Sequence, residues 1–256
     1  MDCNTINMIE ILSDIHSEMA TLDNVKLLCD NMLTPLIKEK TDIILAGDIG
    51  NPLSDNYKYI IQHCSDNYNR VFICTGNHEY YHSFNITHTE YYIDKLCIKY
   101  NNVYFLNKTR YEFEDFVILG CTLWTRVPHK FKYVVSKCMN DYKYIPDFDV
   151  TVQNNLHENH INWLKSEIEQ IDTDKNVIVV THHLPTFELI DDIYKDSDIN
   201  HAFANTDCNE LFQFIDYWIC GHTHMYKNIV IEDCTFIVNP LGYSGENTKF
   251  SQTRIL

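Results

Sequence analysis

The chain has 256 residues, 45% of them apolar, and a formal charge of −16; it is too apolar for a disordered protein, and its charge repels long polyanions such as duplex DNA. No run approaches the ~18 uninterrupted apolar residues of a membrane span, and Met1-Asp2-Cys3-Asn4-Thr5 lacks the basic and apolar regions of a signal peptide, so the expected location is cytoplasmic. The 10 cysteines are scattered without a C-x-x-C pair and are read as reduced, buried small hydrophobes rather than a disulfide framework.

In chain order, residues 1–7 read as a leader, followed by a strand over 8–13 that runs into Asp14-Ile15-His16. A helical stretch near 18–39 carries Leu22, Val25, Leu28, Met32 and Leu36 at helical spacing, with Pro35 placed to kink or end it. A strand at 42–46 runs into Gly47-Asp48, a helix follows near 56–66, and a strand at 71–75 runs into Gly76-Asn77-His78-Glu79. After a helix near 86–99, the runs Val103 to Phe105, Arg110 to Phe113 and Phe116 to Leu119 predict short strands forming an antiparallel portion. Residues 124–154, aromatic and charged with Pro128 and Pro146, predict a long, partly helical excursion near the site entrance. An amphipathic helix over 155–171 leads to a strand at 177–181 that ends in His182-His183. A helix near 206–215 precedes a strand at 217–220 that runs into Gly221-His222-Thr223-His224, and a hairpin of 229–231 with 236–238 turns at Glu232-Asp233. The β-α alternation predicts an α/β protein with a mostly parallel sheet. With no repeat and no clear linker, one domain spanning 1–256 is the economical reading.

Five hydrophobic strands thus end in residues able to bind metal. Asp14 and Asp48 offer anionic oxygens, Asn77 a carbonyl oxygen, and His16, His182, His222 and His224 imidazole nitrogens. A closed structural zinc site would draw on cysteine, so this N/O set argues for catalysis. It suits Mn, Fe, Zn, Ni or Co without choosing among them. Seven ligands are too many for one tetrahedral ion and about right for two divalent ions that share one carboxylate. Two such ions can clamp a phosphoryl oxygen and acidify a bridging water to hydroxide, which makes the substrate a small phosphorylated molecule, a phosphomonoester or phosphodiester, nucleotides included. His78 is then left over, free to protonate a leaving alkoxide or stabilise the transferring group, with Glu79, Asp14 or Asp48 as candidate partners.

Asp14-x-His16, Gly47-Asp48, Gly76-Asn77-His78-Glu79, His182 and Gly221-His222-x-His224, in that order, resemble the full signature of the calcineurin-like metallophosphoesterases. Gly120 to Thr125, Met139 to Tyr142 and Asn239 to Tyr243 are similar to a small, single-domain bacterial-type branch of that family. The resemblance implies a four-layer αββα sandwich with mixed sheets and a dinuclear metal centre on the loops at one edge, Mn being the first choice of metal. It implies Asp14, His16 and His224 on one ion, Asn77, His182 and His222 on the other, Asp48 between them, and His78 as the catalytic histidine. His182, at the strand end, is taken in preference to His183. Trp124, Asp141 and Tyr243 are candidates to line the pocket. His157 and His160 are read as a solvated helix face, and His63, His82, His88, His129 and His201 as ordinary structural residues. A nuclease or cyclic-nucleotide phosphodiesterase of the same family, and a protein-interaction scaffold, are the alternatives. The acidic balance and the absence of a Lys/Arg run count against nucleic acid as a partner, and the complete ligand set counts against the scaffold.

Overall fold

The computed structural model describes residues 8–38, 41–114, 116–171, 174–246, 248–251 and 254–255; the leader expected at 1–7 lies outside them. The first half runs β1 (Met8–Leu12), α1 (Leu22–Met32), β2 (Thr41–Ala46), α2 (Asp55–Asn67), β3 (Val71–Cys74), α3 (Ile86–Cys97), β4 (Val103–Leu106), β5 (Thr109–Glu112) and β6 (Phe116–Gly120). The second half runs α4 (Lys132–Cys138), α5 (Asp141–Tyr144), α6 (Val150–Ile168), β7 (Asn176–Val180), β8 (Tyr217–Cys220), β9 (Lys227–Ile231), β10 (Cys234–Val238) and β11 (Arg254–Ile255).

The strands form two mixed sheets, one in the order β11-β1-β2-β3-β4 and the other β5-β6-β7-β8-β10-β9. All pairings are parallel except those that add β11, β5 and β9 at three of the edges. Alternate residues on the facing surfaces, Ile9, Ile11, Ile44 and Phe72 from one sheet and Phe116, Ile118, Ile178 and Ile219 from the other, make a dry layer between the sheets. The opposite face of the first sheet, with Ile43, Leu45, Val71 and Ile73, packs on residues of α1, α2 and α3. The opposite face of the second, with Val117, Leu119, Val177 and Val179, packs on Ile161, Leu164 and Ile168 of α6 and on Leu211 and Phe212. Burial on both faces explains why these strands read as unbroken apolar runs rather than alternating ones. The result is the expected four-layer αββα sandwich.

Several boundaries differ from the sequence reading. The helix expected near 18–39 is a 3₁₀ turn at Ser17–Met19 and then α1, which the Thr21 side chain caps by accepting from Asn24 N. It stops three residues before Pro35, as the steric cost of proline in a helix requires. Residue 39 lies outside the described residues. The 155–171 helix begins at Val150, because Asp149 Oδ1 accepts from Thr151 N at 2.7 Å and Val152 N at 2.8 Å. The segment near 206–215 is a 3₁₀ helix, Asn209–Phe214. The antiparallel portion expected over 103–119 is only half correct. β4 completes the first sheet in parallel with β3, and the chain crosses through Asn107 and Lys108 to the second sheet, where β5 and β6 are antiparallel. The final hairpin turns at Glu232 and Asp233, whose φ of 50° and 67° suit a tight two-residue turn.

His157 and His160 are a correction. They are 0% and 2% exposed, not a solvated face. His157 Nδ1 donates to Trp124 O at 2.7 Å, and its Nε2 lies 3.1 Å from Asp207 Oδ2, so His157 ties α6 to the loop after β6 and to the segment before Asn209. Among the described residues no helix is long and apolar enough to cross a membrane.

Candidate metal centre

The carboxyl ends of β1, β2 and β3 lie side by side in one sheet and those of β7 and β8 in the other. The loops that leave them continue the ladder: Asp14 N donates to Gly47 O at 3.0 Å, His16 N to Asp48 O at 2.9 Å, and Gly221 N to His182 O at 3.0 Å. This backbone pairing brings all seven expected ligands to one edge of the sandwich. Asp14, His16, Asp48, His222 and His224 all have positive φ, between 49° and 73°. Left-handed backbone is uncommon for residues other than glycine and costs of order 1–3 kcal/mol each when held in place. Five such residues among seven concentrate strain where the chemistry would be. Gly76 is required by close approach: a Cβ there would stand 2.1 Å from Asp48 Oδ1 and 2.7 Å from Asp48 N.

Two groups of side chains share this edge, Asp14 with His16 and His224, and Asp48 with His182 and His222, the ligand atoms of each lying within 4.8 Å of one another. Asp48 stands between them, its Oδ2 3.3 Å from His182 Nε2 and 3.8 Å from His16 Nε2. His16 Nε2 and His224 Nε2 face each other at 2.9 Å, and His224 Nε2 is 3.5 Å from Asp14 Oδ1. On the other side, Asn77 Oδ1, His182 Nε2 and His222 Nε2 are buried without a hydrogen-bond partner. Buried polar atoms are nearly always satisfied. Three atoms of this kind, one carbonyl oxygen and two imidazole nitrogens, two of them grouped with Asp48, are what a divalent cation would satisfy, in place of the proton that Asp48 draws onto His182. The residues present therefore fit a pair of divalent ions. His78 with His16 and Asp48 makes a third geometrically possible group.

Three of the four imidazoles are aimed by their other nitrogen. His182 Nδ1 donates to Ala46 O at 2.9 Å, His224 Nδ1 to Glu246 Oε2 at 2.7 Å, and His16 Nδ1 reaches Glu18 Oε1 at 3.3 Å. All three leave Nε2 directed at the carboxylates, the arrangement by which outer contacts fix a ligand's tautomer. Asp14 is held by His222 N at 2.9 Å and by the Ser13 hydroxyl, and Asp48 Oδ1 accepts from His78 N at 2.8 Å.

The partner of His78 is Glu18, whose Oε1 accepts from His78 Nδ1 at 2.8 Å. This corrects the expectation of Glu79, Asp14 or Asp48. Glu79 is fully buried and clamps backbone instead, accepting from Asp48 N, Ile49 N and Gly76 N at 3.1, 2.7 and 2.7 Å, so that it ties the loop after β2 to the loop after β3. Burial, reinforced by the Asp48 charge, pushes the Glu79 carboxyl up to about 7. Burial works against protonation of His78 and His182, but the Asp48 charge, together with Glu18 at His78 and with the Asp48 hydrogen bond, Asp14 and Ala46 O at His182, outweighs it and raises them to about 9 and about 10. Burial would raise the Asp48 carboxyl, yet His182, His78 and His16 hold it well below the usual range.

His182, not His183, shares the group with Asp48 and His222. His183 turns Nδ1 to Thr122 O at 3.2 Å and packs on Trp124, and burial lowers it to about 3. A cavity of about 410 Å³ opens over Asp48, Asn77, His78, His222 and His224. Of the three residues expected to line a pocket, Tyr243 does, its hydroxyl 3.3 Å from His78 Nε2. Trp124 does not: it is 1% exposed and packs with Tyr80, Ile145 and Phe148 behind the site. Asp141 is also buried, and burial pushes its carboxyl up to about 6. Sequence reading missed Glu18 and Glu246. Glu18 stands two residues after His16 and reaches both rings only because Ser17–Met19 turns as a 3₁₀ helix, and nothing in the spacing marks Glu246.

A family model described as calcineurin-like phosphoesterase matches residues 9–226, a span that contains all seven ligand candidates and His78. Uncharacterized protein L509 of Acanthamoeba polyphaga mimivirus is 29% identical over 269 residues, which cover 96% of this chain and 95% of that protein. Among solved structures, the phosphopantetheinyl hydrolase of Mycobacterium tuberculosis is similar with a TM-score of 0.76 at 15% identity, over 94% of this chain and 91% of that one. TT1561 of Thermus thermophilus is similar with a TM-score of 0.55 at 12% identity, over 92% and 90%. At these identities the structural likeness speaks to the fold.

Proposed function

The chain belongs to the calcineurin-like phosphoesterase family and is a phosphoric ester hydrolase, and from that premise we propose a dinuclear site within one domain spanning 1–256. Asp14, His16 and His224 hold one divalent ion, Asn77, His182 and His222 the other, and Asp48 is shared. Mn is the first choice on the family resemblance, and the oxygen and imidazole donor set is compatible with it as with Fe, Zn, Ni or Co. The observation that carries this reading is the trio of buried atoms without a hydrogen bond, Asn77 Oδ1, His182 Nε2 and His222 Nε2, the two imidazoles being grouped with the Asp48 carboxylate.

When bound, the two ions supply Lewis acidity toward a phosphoryl oxygen and acidify a water for in-line attack. The chain's own residues do the rest. His16, His182 and His224 are pre-aimed by Glu18, Ala46 O and Glu246, so little reorganisation accompanies loading. His78 donates its Nδ1 proton to Glu18, which leaves Nε2 facing the cavity beside Tyr243. From there it hydrogen-bonds a phosphoryl oxygen or passes a proton to the departing alkoxide. The substrate is a small phosphomonoester or phosphodiester.

The test is hydrolysis of a paired chromogenic monoester and diester by protein loaded with Mn, with metal content measured on the same sample. Two ions per chain with turnover of either ester, abolished by a chelator, is the expected result. Turnover that survives complete removal of metal would overturn the reading.

A further inference from the structure

The cavity over the metal centre has a wall that the metal ligands do not account for. Ile190, Tyr194, Ile199 and Phe203 come from the 3₁₀-rich segment between β7 and β8, and Met139 from the end of α4. The two segments are locked together through Val135 of α4 and Ala202, with Met139 and Phe203 packed against them. Of the wall residues, Tyr194 is 57% exposed. Among the described residues that line the cavity none is lysine or arginine, while Asp191 and Glu246 are there. The nearby Lys195 pairs with Asp192 at 3.4 Å and leaves 74% of its side chain in solvent.

Resting on the proposed phosphoesterase reading, we infer that this site takes phosphate esters whose leaving group is uncharged and apolar, and discriminates against substrates that carry a second phosphate. The metal ligands present one phosphoryl position. Beyond His78, a second anionic group would enter a space bounded by apolar side chains, by the neutral Asn140, Ser197 and Asn200, and by the carboxylates Asp191 and Glu246, and would lose hydration there without meeting a lysine or arginine. An apolar moiety gains by the same burial, in a cavity whose about 410 Å³ is within the range that holds a drug-sized ligand and leaves room beyond the phosphoryl group. The exposed Tyr194 extends the apolar lining outward to solvent.

The experiment is equilibrium binding of three non-hydrolysable phosphonates to Mn-loaded protein: methylphosphonate, hexylphosphonate and hexane-1,6-bisphosphonate. Hexylphosphonate is expected to bind at least about tenfold more tightly than methylphosphonate, through burial of its methylenes. It is also expected to bind about tenfold more tightly than the bisphosphonate, which differs only in its distal anion. Ile199→Lys, at a half-buried position, and Tyr194→Lys, at an exposed one that the fold tolerates, should each narrow that second ratio by about fivefold. Equal binding of the methyl and hexyl compounds, or a bisphosphonate that binds as tightly as hexylphosphonate, overturns the inference and leaves the phosphoesterase reading intact. Failure of every phosphonate to bind overturns both.

Discussion

At the scale of single residues, His78 and Asp48 sit close enough for their roles to be confused, since His78 also forms a geometric group with His16 and Asp48. The hydrogen bond to Glu18 separates them. It occupies Nδ1, and the cavity takes Nε2. His78→Ala should therefore keep the metal content of the parent and lower kcat by about 10²–10⁴, the usual contribution of a positioned acid, most for poor leaving groups. Loss of an ion instead would make His78 a ligand. The ligand candidates were legible because each follows an apolar run and a tight turn, a pattern visible in one dimension. Glu18, Glu246 and the backbone clamp made by Glu79 were not legible, because their contacts depend on how loops fold over one another. His157 and His160 were misjudged for a related reason. A solvated and a buried histidine at i, i+3 look identical until Trp124 O and Asp207 are seen to meet the first of them.

At the scale of elements, the site depends on how closely the loops after β2 and β3 approach. Gly76→Ala would set a methyl 2.1 Å from Asp48 Oδ1, with Asp48 N and His182 Cε1 each 2.7 Å away, so both the backbone and two ligand side chains block it. The expected result is loss of bound metal together with a destabilisation of about 1–3 kcal/mol, read by metal analysis and thermal melting. Gly245→Ala is the control: its φ of 91° makes it strained, but nothing lies within 4 Å of the added carbon, so metal content should be unchanged. The central strands were legible because burial on both faces makes continuous apolar runs. Helix ends were less so, since α6 starts where Asp149 can cap it rather than where the amphipathic pattern becomes clear. The excursion over 124–154 was placed near the site entrance but not resolved into elements; in the structure Met139 and Asn140 line the cavity. It carries no periodic pattern because its residues pack partly on Ala202 and Phe203 and partly on Tyr80, Tyr81 and Ile86 rather than forming one face against a sheet.

At the scale of the whole molecule, the acidic chain buries several neutral histidines, and this couples stability to pH. His160 lies away from the ligands and is lowered to about 3, chiefly by burial, with Lys108 and His157 adding to it. The unfolded chain therefore binds the extra proton between about 6.5 and 3. Its contribution to stability is complete above 6.5 and falls as pH drops toward 3, by up to about 1.4 kcal/mol per pH unit for one group. His160→Gln should flatten this acid limb, with a difference in unfolding free energy between pH 7.5 and 5.5 smaller than the parent's by about 1 kcal/mol. An unchanged slope in denaturant melts would show that His160 does not titrate on unfolding.

The central claim is that two ions share the Asp48 carboxylate. The most direct test is metal stoichiometry of Asp48→Asn beside the parent, each loaded with Mn under the same conditions and measured on folded, monodisperse protein. The account predicts two ions per chain in the parent and a marked loss of both in the variant, because the single charge that serves both positions is gone. Two ions retained in Asp48→Asn, at the parent's affinity, would contradict it.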